Sequence, residues 1–406
     1  MGRRVVVTGL GIVSAIGNSS EDVLSSLSEA KSGISMSEDY KKFGFRCQVH
    51  GHPPYIDLAH LIDRRAMRFH CLGTSWAHVA LSTAISDAGL EKGDVVNERT
   101  GLIIGSGGAS TRVIAESFVS TQEKGPKSVG VCSVPKAMCS TASATLAVPF
   151  EIKGVNYSIS SACATSSHCI GNAYELIQWG KQDVIFAGGC EGLHWSLSVL
   201  FDAMGAMSSG YNEVPTLASR PYDKNRDGFV IAGGAGVLVL EEYERAKARG
   251  AQIYAEIVGY GATSDGYNMV APSGEGAVRC MKLALENVKR PIDYINPHAT
   301  STPLGDLREV EAIKQVFGTR IPYLSATKAL TGHSLGAAGA QEAIYVLLMM
   351  KERMICKSAN IETIDPDFAD LPIVRDRIDD VDIGAAISNS FGFGGTNASL
   401  VFQQCD

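Results

Sequence analysis

Cys163 stands in the stretch Asn156 to Gly180, NYSISSACATSSHCIGNAYELIQWG, where a strand-like run ends in small residues and a helical pattern begins. A thiol at the first turn of a helix faces unpaired backbone N–H groups and the positive end of the dipole, which favour the nucleophilic thiolate. The small neighbours Ser161, Ala162 and Ala164 leave space for a carbonyl carbon to approach it. A buried cysteine that merely packs is the competing reading, so the decision falls to its partners. Two of the nine histidines have a fitting context. His298 lies in IDYINPHATSTPLGD, where a strand-like run ends and a hydroxyl-rich loop leads into a helix. His333 lies in SATKALTGHSLGAAGAQEAIYVLLMM, at the head of a helix whose first turns are small. Strand-to-helix junctions are where layered α/β folds gather binding groups. Near the C-terminus, SNSFGFGGTNASLVF places Phe393 between glycines, a turn whose free N–H groups suit an oxyanion hole.

The elements that must carry these residues are legible as alternating short β-branched runs and longer helical patterns. RVVVTG at 4–9, GLIIGSGG at 101–108, the run before Cys163, and VIFAGG at 184–189 predict an α/β layered fold. Val184 to Ala187 and Val237 to Leu240 are apolar on both faces and predict an interior sheet. VVVTGLGIVSAIGNS near the start and IYAEIVGYGATSDGYN at 253–268 both run from strand to glycine-rich turn, a hint of two related halves with a boundary within 242–252.

At 406 residues and 45% hydrophobic content the chain can bury a large core, and a net charge of −7 argues against a nucleic-acid or membrane-surface role. Any basic docking surface must therefore be local. The ten cysteines show no CxxC or Cys/His metal spacing, no apolar run reaches membrane length, and MGRRVVVTGLGIV enters a strand directly, so a soluble protein of a reducing cytoplasm is expected. GxxxxGK[ST] is absent and TGLGIVSAIG lacks regular GxGxxG spacing, so no nucleotide cofactor is expected.

Taken in order, SSACATSSHCIGNA, NPHATSTPLGD, TKALTGHSLGAAG and SNSFGFGGTNA resemble the Cys–His–His β-ketoacyl-[acyl-carrier-protein] synthases over residues 3–403. GYGATSDGYNMVAPSGEGAVRCMK and FDAMGAMSS are more similar to the type I branch than to type II. The resemblance implies a thiolase-like fold, five layers α-β-α-β-α from two similar βαβαβαββ halves, here residues 1–250 with Cys163 and 251–406 with His298, His333 and Phe393. It implies an acyltransferase of fatty acid biosynthesis, working without metal or other cofactor, that condenses an acyl group with malonyl-acyl-carrier protein and releases carbon dioxide. By the same resemblance Cys163 holds the acyl group, with its nucleophilicity drawn from the helix terminus and no separate base. His298 and His333 donate hydrogen bonds to the enolate, and the backbone N–H groups of Cys163 and Phe393 form the oxyanion hole, with the Phe393 ring as gate. Lys328 supports the histidines electrostatically, together with Glu342. Thr300 and Thr302 bind the pantetheine arm, and Asp306 and Glu309 are structural. Ala299 departs from the glycine of many relatives, which bears on packing and not on chemistry.

The resemblance also implies a homodimer, with the strand before Cys163 pairing across the two-fold axis and Met138 lining the partner's acyl pocket. Arg64, Arg65, Arg68, Lys124 and Lys127 are the expected docking residues for an acidic carrier protein. A thiolase would carry a second catalytic cysteine near the C-terminus, where SNSFGFGG has none, and type III synthases use Cys–His–Asn. The remaining alternatives are a type II synthase and a non-catalytic chain-length-factor subunit, the latter disfavoured by the presence of Cys163, His298 and His333.

Overall fold

The computed structural model describes residues 2–108 and 110–405. Ten strands share one sheet. The first five are β1 (Val5–Val13), β2 (Thr100–Gly105), β3 (Asn156–Tyr157), β4 (Val184–Glu191) and β5 (Gly234–Glu242). The second five are β6 (Ala255–Ser264), β7 (Tyr294–Asn296), β8 (Tyr323–Leu324), β9 (Ala385–Gly392) and β10 (Thr396–Gln403). The spatial order is β8-β7-β9-β10-β6-β1-β5-β4-β2-β3.

Reading outward from the β1–β6 junction, each half visits its strands as first, fifth, fourth, second, third. The directions repeat as well. β1, β5 and β4 are successively antiparallel and β4, β2 and β3 parallel, while β6, β10 and β9 are antiparallel and β9, β7 and β8 parallel. The weak sequence likeness between the halves thus corresponds to one topology used twice. They join through Val5–Val7 paired with Ala255–Ile257.

Helix α1 (Leu72–Asp87) covers one face of β1 and β5. Helices α2 (Thr165–Gln178) and α5 (Ala338–Glu352) pack on each other between the halves, α2 against β2, β4 and β10, α5 against β4, β5 and β9. α3 (Glu275–Leu285) covers β6 and β10, with α4 (Pro303–Phe317) against α3. With the two halves of the sheet on either side of this helix pair, helix, half-sheet, helix, half-sheet and helix make five layers. A helix between the two half-sheets has no solvent face, which is why residues 338–350 of α5 are buried all round. Close approach there needs Gly339, because a Cβ would lie 2.1 Å from Ser167 Oγ.

β1, β2 and β4 are buried along their whole length, as their two-sided apolar character predicts. The run before Cys163 is a strand only at Asn156–Tyr157, and that strand is an exposed sheet edge. Beyond it the contact with β2 passes to a side chain, Ser158 Oγ donating to Ile104 O at 2.7 Å, in place of extending the ladder.

Candidate active site

Cys163 lies in a 3-10 turn, Ala162–Ala164, one step before α2, and its side chain is 9% exposed. Ala162 adopts φ +50°, a left-handed conformation costing an alanine about 1–2 kcal/mol. The surroundings hold it there. Thr165 Oγ1 donates to Ala162 O at 2.8 Å and accepts from Ser161 N at 2.8 Å, while Thr396 Oγ1 donates to Ser161 O at 3.1 Å. His168, one of the seven histidines without a predicted role, contacts Ser161 Oγ through Nδ1 at 2.7 Å and Asn397 O through Nε2 at 3.2 Å. It is a satisfied interior residue, and it braces the turn.

His298 follows β7 on a loop that α4 clamps. Glu309 accepts the backbone N–H of His298 at 2.8 Å and of Ala299 at 2.7 Å, and Asn389 Nδ2 donates to the same carboxylate at 3.3 Å. Asp306 holds the next step, accepting Ser301 N at 3.1 Å and Tyr222 N at 3.2 Å. These bonds fix Ala299 at φ +24° and Ser301 at φ +71°. The Ala299 methyl therefore adds backbone strain that glycine would lack. His333 is pinned by its main chain, its N–H donating to Val230 O at 2.7 Å and its C=O accepting from Ala232 N at 2.9 Å.

From these two loops the imidazoles meet edge to face, centroids 5.1 Å apart at 86°. Cys163 and the two histidines each offer a ligand atom within 4.8 Å of the others. Neither ring nitrogen of His333, nor Nδ1 of His298, has a hydrogen-bond partner. Burial first, and then the Lys328 charge, pushes both imidazoles well below their ordinary value, so they are neutral. Uncommitted neutral imidazoles beside a thiol are donors waiting for an acceptor.

Lys328 and Glu342 are each 2% exposed and pair at 2.5 Å. Burial raises the Glu342 carboxyl and the Lys328 ammonium opposes that rise. The thiol departs from expectation. Burial pushes Cys163 up to about 12, with Glu191 adding to the rise and Lys328 and the backbone N–H groups of Phe393 and Cys163 only partly offsetting it. Burial thus leaves the resting group a thiol. Its proton must leave when the acyl group arrives, and the His298 and His333 nitrogens are the acceptors within reach.

A cavity of about 480 Å³ opens onto Cys163, His298 and His333. Thr300 and Thr302 line it, their hydroxyls 3.1 Å apart. Thr302 caps α4 without a side-chain hydrogen bond to the helix, so its hydroxyl is not consumed there. Phe393, 37% exposed, lines the same cavity 6.3 Å from the Phe201 ring, on a turn with Gly394 at φ +80° and Gly395 at φ +71°. Arg64, Arg65, Arg68, Lys124 and Lys127 are all exposed, the first two in the turn Arg64–Met67 and the last two at and just beyond the helix Thr111–Lys124.

Glu191 went unnoticed in the sequence. It ends β4 2% exposed and bonds Gly107 and Gly336. The one available signal was an isolated carboxylate closing the buried run VIFAGGCE.

The fold and this Cys–His–His site define a condensing acyltransferase of the thiolase-like class. Residues 2–246 match the Beta-ketoacyl synthase N-terminal domain family and residues 254–362 the corresponding C-terminal domain family. The chain is 57% identical over 406 residues to 3-oxoacyl-[acyl-carrier-protein] synthase 1 of Escherichia coli, covering 99% of each. It is 55% identical over 403 residues to the Haemophilus influenzae protein of the same name, again covering 99% of each. A beta-ketoacyl synthase from Burkholderia phymatum superposes with a TM-score of 0.94 at 36% identity and complete coverage of both chains. A type II polyketide acyl carrier protein in complex with its ketosynthase matches at TM-score 0.91, 31% identity and complete coverage. The chain belongs to the β-ketoacyl synthase family. Among the described residues no helix is long and apolar enough to cross a membrane.

Proposed function

We propose that the chain elongates fatty acyl groups by decarboxylative condensation with malonyl-acyl-carrier protein, as a type I synthase of the cytoplasm. The observation that carries this reading is the convergence of Cys163, His298 and His333 within 4.8 Å at the cavity that also holds Thr300 and Thr302.

Cys163 Sγ attacks the carrier's acyl thioester carbonyl, its proton passing by way of an imidazole to the departing carrier thiolate. The backbone N–H groups of Cys163 and Phe393 receive the tetrahedral oxyanion, and the Phe393 ring gates entry. Malonyl thioester then enters with its pantetheine arm along Thr300 and Thr302. Its bond to the carboxylate breaks, carbon dioxide leaves, and the electron pair moves onto the thioester oxygen as an enolate. His298 and His333 stabilise that charge through N–H groups, supported by Lys328 and Glu342. The enolate carbon attacks the Cys163 thioester, the C–S bond breaks, and the departing thiolate takes up a proton from solvent, the one proton the overall condensation consumes. No cofactor enters this sequence.

Three further features belong to this reading: the halves 1–250 and 251–406 as the units of duplication, a homodimer, and action on unsaturated chains. The exposed edge strand Asn156–Tyr157 supports the dimer, since a second copy would pair its open hydrogen-bonding groups. Met138, part-exposed after the turn Ser133–Ala137, would then reach the partner's acyl pocket.

The test is a condensation assay with malonyl-carrier and a series of saturated and cis-unsaturated acyl-carriers. A 3-oxoacyl-carrier product longer by two carbons, with equimolar carbon dioxide, is expected, and no product from any acyl length would refute the reading. Docking has its own test. Arg65→Glu with Arg68→Glu is expected to raise KM for carrier-bound substrates about tenfold at low ionic strength, because opposite charge chiefly governs encounter. Unchanged kinetics would remove these arginines from the docking surface.

A further inference from the structure

Glu191 is a buried carboxylate to which the condensation chemistry gives no role. Both of its oxygens are engaged. Oε1 accepts from Ser106 Oγ at 3.0 Å, and Oε2 accepts from the backbone N–H of Gly107 at 2.8 Å and of Gly336 at 3.0 Å. The donors come from two separate segments. Ser106 and Gly107 follow β2, and Gly336 lies three residues beyond His333.

Neither segment has space to shift. A Cβ on Gly107 would stand 2.7 Å from Glu191 Oε2 and 3.4 Å from Ala162 O, and one on Gly336 would stand 2.1 Å from Gly107 N. Ala162 is the strained residue immediately before Cys163. One side of this knot therefore bears on the nucleophile turn and the other on the chain that carries His333.

We propose that Glu191 is a positioning residue for condensation, setting the separation of Cys163 and His333 by holding Gly107 and Gly336 on one carboxylate oxygen. Backbone donors at that spot need an acceptor, and an apolar residue would leave two N–H groups buried and unpaired. Burial pushes the carboxyl up to about 7 against those donors, so the site is maintained at an electrostatic cost. Displacement of a reacting group by about 1 Å is enough to slow catalysis about 100-fold.

The proposal rests on the condensation reading, and wild-type activity in the same assay tests that separately. Glu191→Gln keeps the clamp without the charge. Its carbonyl can accept both backbone N–H groups while its amide donates to Ser106 Oγ, whose own proton is already shared with Gly108 O at 2.8 Å. Glu191→Ala removes the clamp. kcat is measured per mole of soluble protein with the wild-type circular dichroism spectrum, so loss of folded protein does not count as loss of positioning.

Glu191→Ala is expected to lower kcat about 30- to 100-fold with KM within about threefold, and Glu191→Gln to stay within about threefold of wild type. Wild-type kcat per mole of folded Glu191→Ala would overturn the proposal, as would Glu191→Gln being as slow as Glu191→Ala. If Glu191→Ala fails to fold, Ser106→Ala removes a single donor and should cost kcat about threefold. An unchanged kcat in that variant would overturn the proposal too.

Discussion

Cys163→Ala is expected to lower condensation by about four orders of magnitude or more while the protein continues to decarboxylate malonyl thioester. Alanine removes the atom proposed to hold the acyl group but leaves His298, His333 and the cavity in place. The two activities separate by measuring carbon dioxide release and 3-oxoacyl product in one reaction; condensation at the wild-type rate would exclude Cys163 as the acyl carrier. The same residue has a pH signature. Because burial pushes the thiol up to about 12, alkylation of Cys163 should rise about tenfold per pH unit across the neutral and mildly alkaline range. A plateau already reached at neutral pH would mean that the turn's N–H groups and Lys328 outweigh desolvation.

His298→Ala and His333→Ala are each expected to slow malonyl decarboxylation about 100- to 1,000-fold, the typical cost of removing one preorganised donor from a developing oxyanion. Stopped-assay carbon dioxide release from the Cys163→Ala background isolates this step, and a loss of less than about threefold would remove that histidine from enolate stabilisation. In the proposed reaction the rings serve as neutral donors, since burial and Lys328 hold both well below the ordinary histidine value. Decarboxylation by Cys163→Ala should therefore stay level from about pH 6 to 8, and an acid limb near 6.5 would mark a cationic donor. Stability follows with a definite sign. The folded state resists protonating these imidazoles and the unfolded chain does not, so unfolding takes up protons and native stability falls as pH drops below about 6.5. Above that value both states carry neutral rings and the contribution is constant.

Strand positions were legible because β-branched runs report their own burial. RVVVTG, GLIIGSGG and VIFAGG correspond to Val5–Val13, Thr100–Gly105 and Val184–Glu191, each buried throughout. Recurrence of the strand-to-glycine pattern hinted at the duplication, although only the ladder order displays it. The strand before Cys163 is limited to Asn156–Tyr157, since Ser158 next to it bonds β2 through its hydroxyl, a tertiary contact that composition does not reveal.

Residue type and order along the chain were enough to single out Cys163, His298 and His333, because thiol and imidazole chemistry belongs to the side chain and the motifs around it are local. Their convergence depends on contacts between distant segments. His333 is held by Val230, His298 by Glu309, Lys328 by Glu342, and Gly336 by Glu191. The ionisation of the thiol belongs to the same category. A helix terminus can be read from neighbouring residues, but desolvation comes from everything packed around the sulfur, and here it outweighs the terminus. Side-chain chemistry is local and burial is not, which is why the participants were visible in the chain while their protonation, spacing and supporting carboxylates emerged only from the fold.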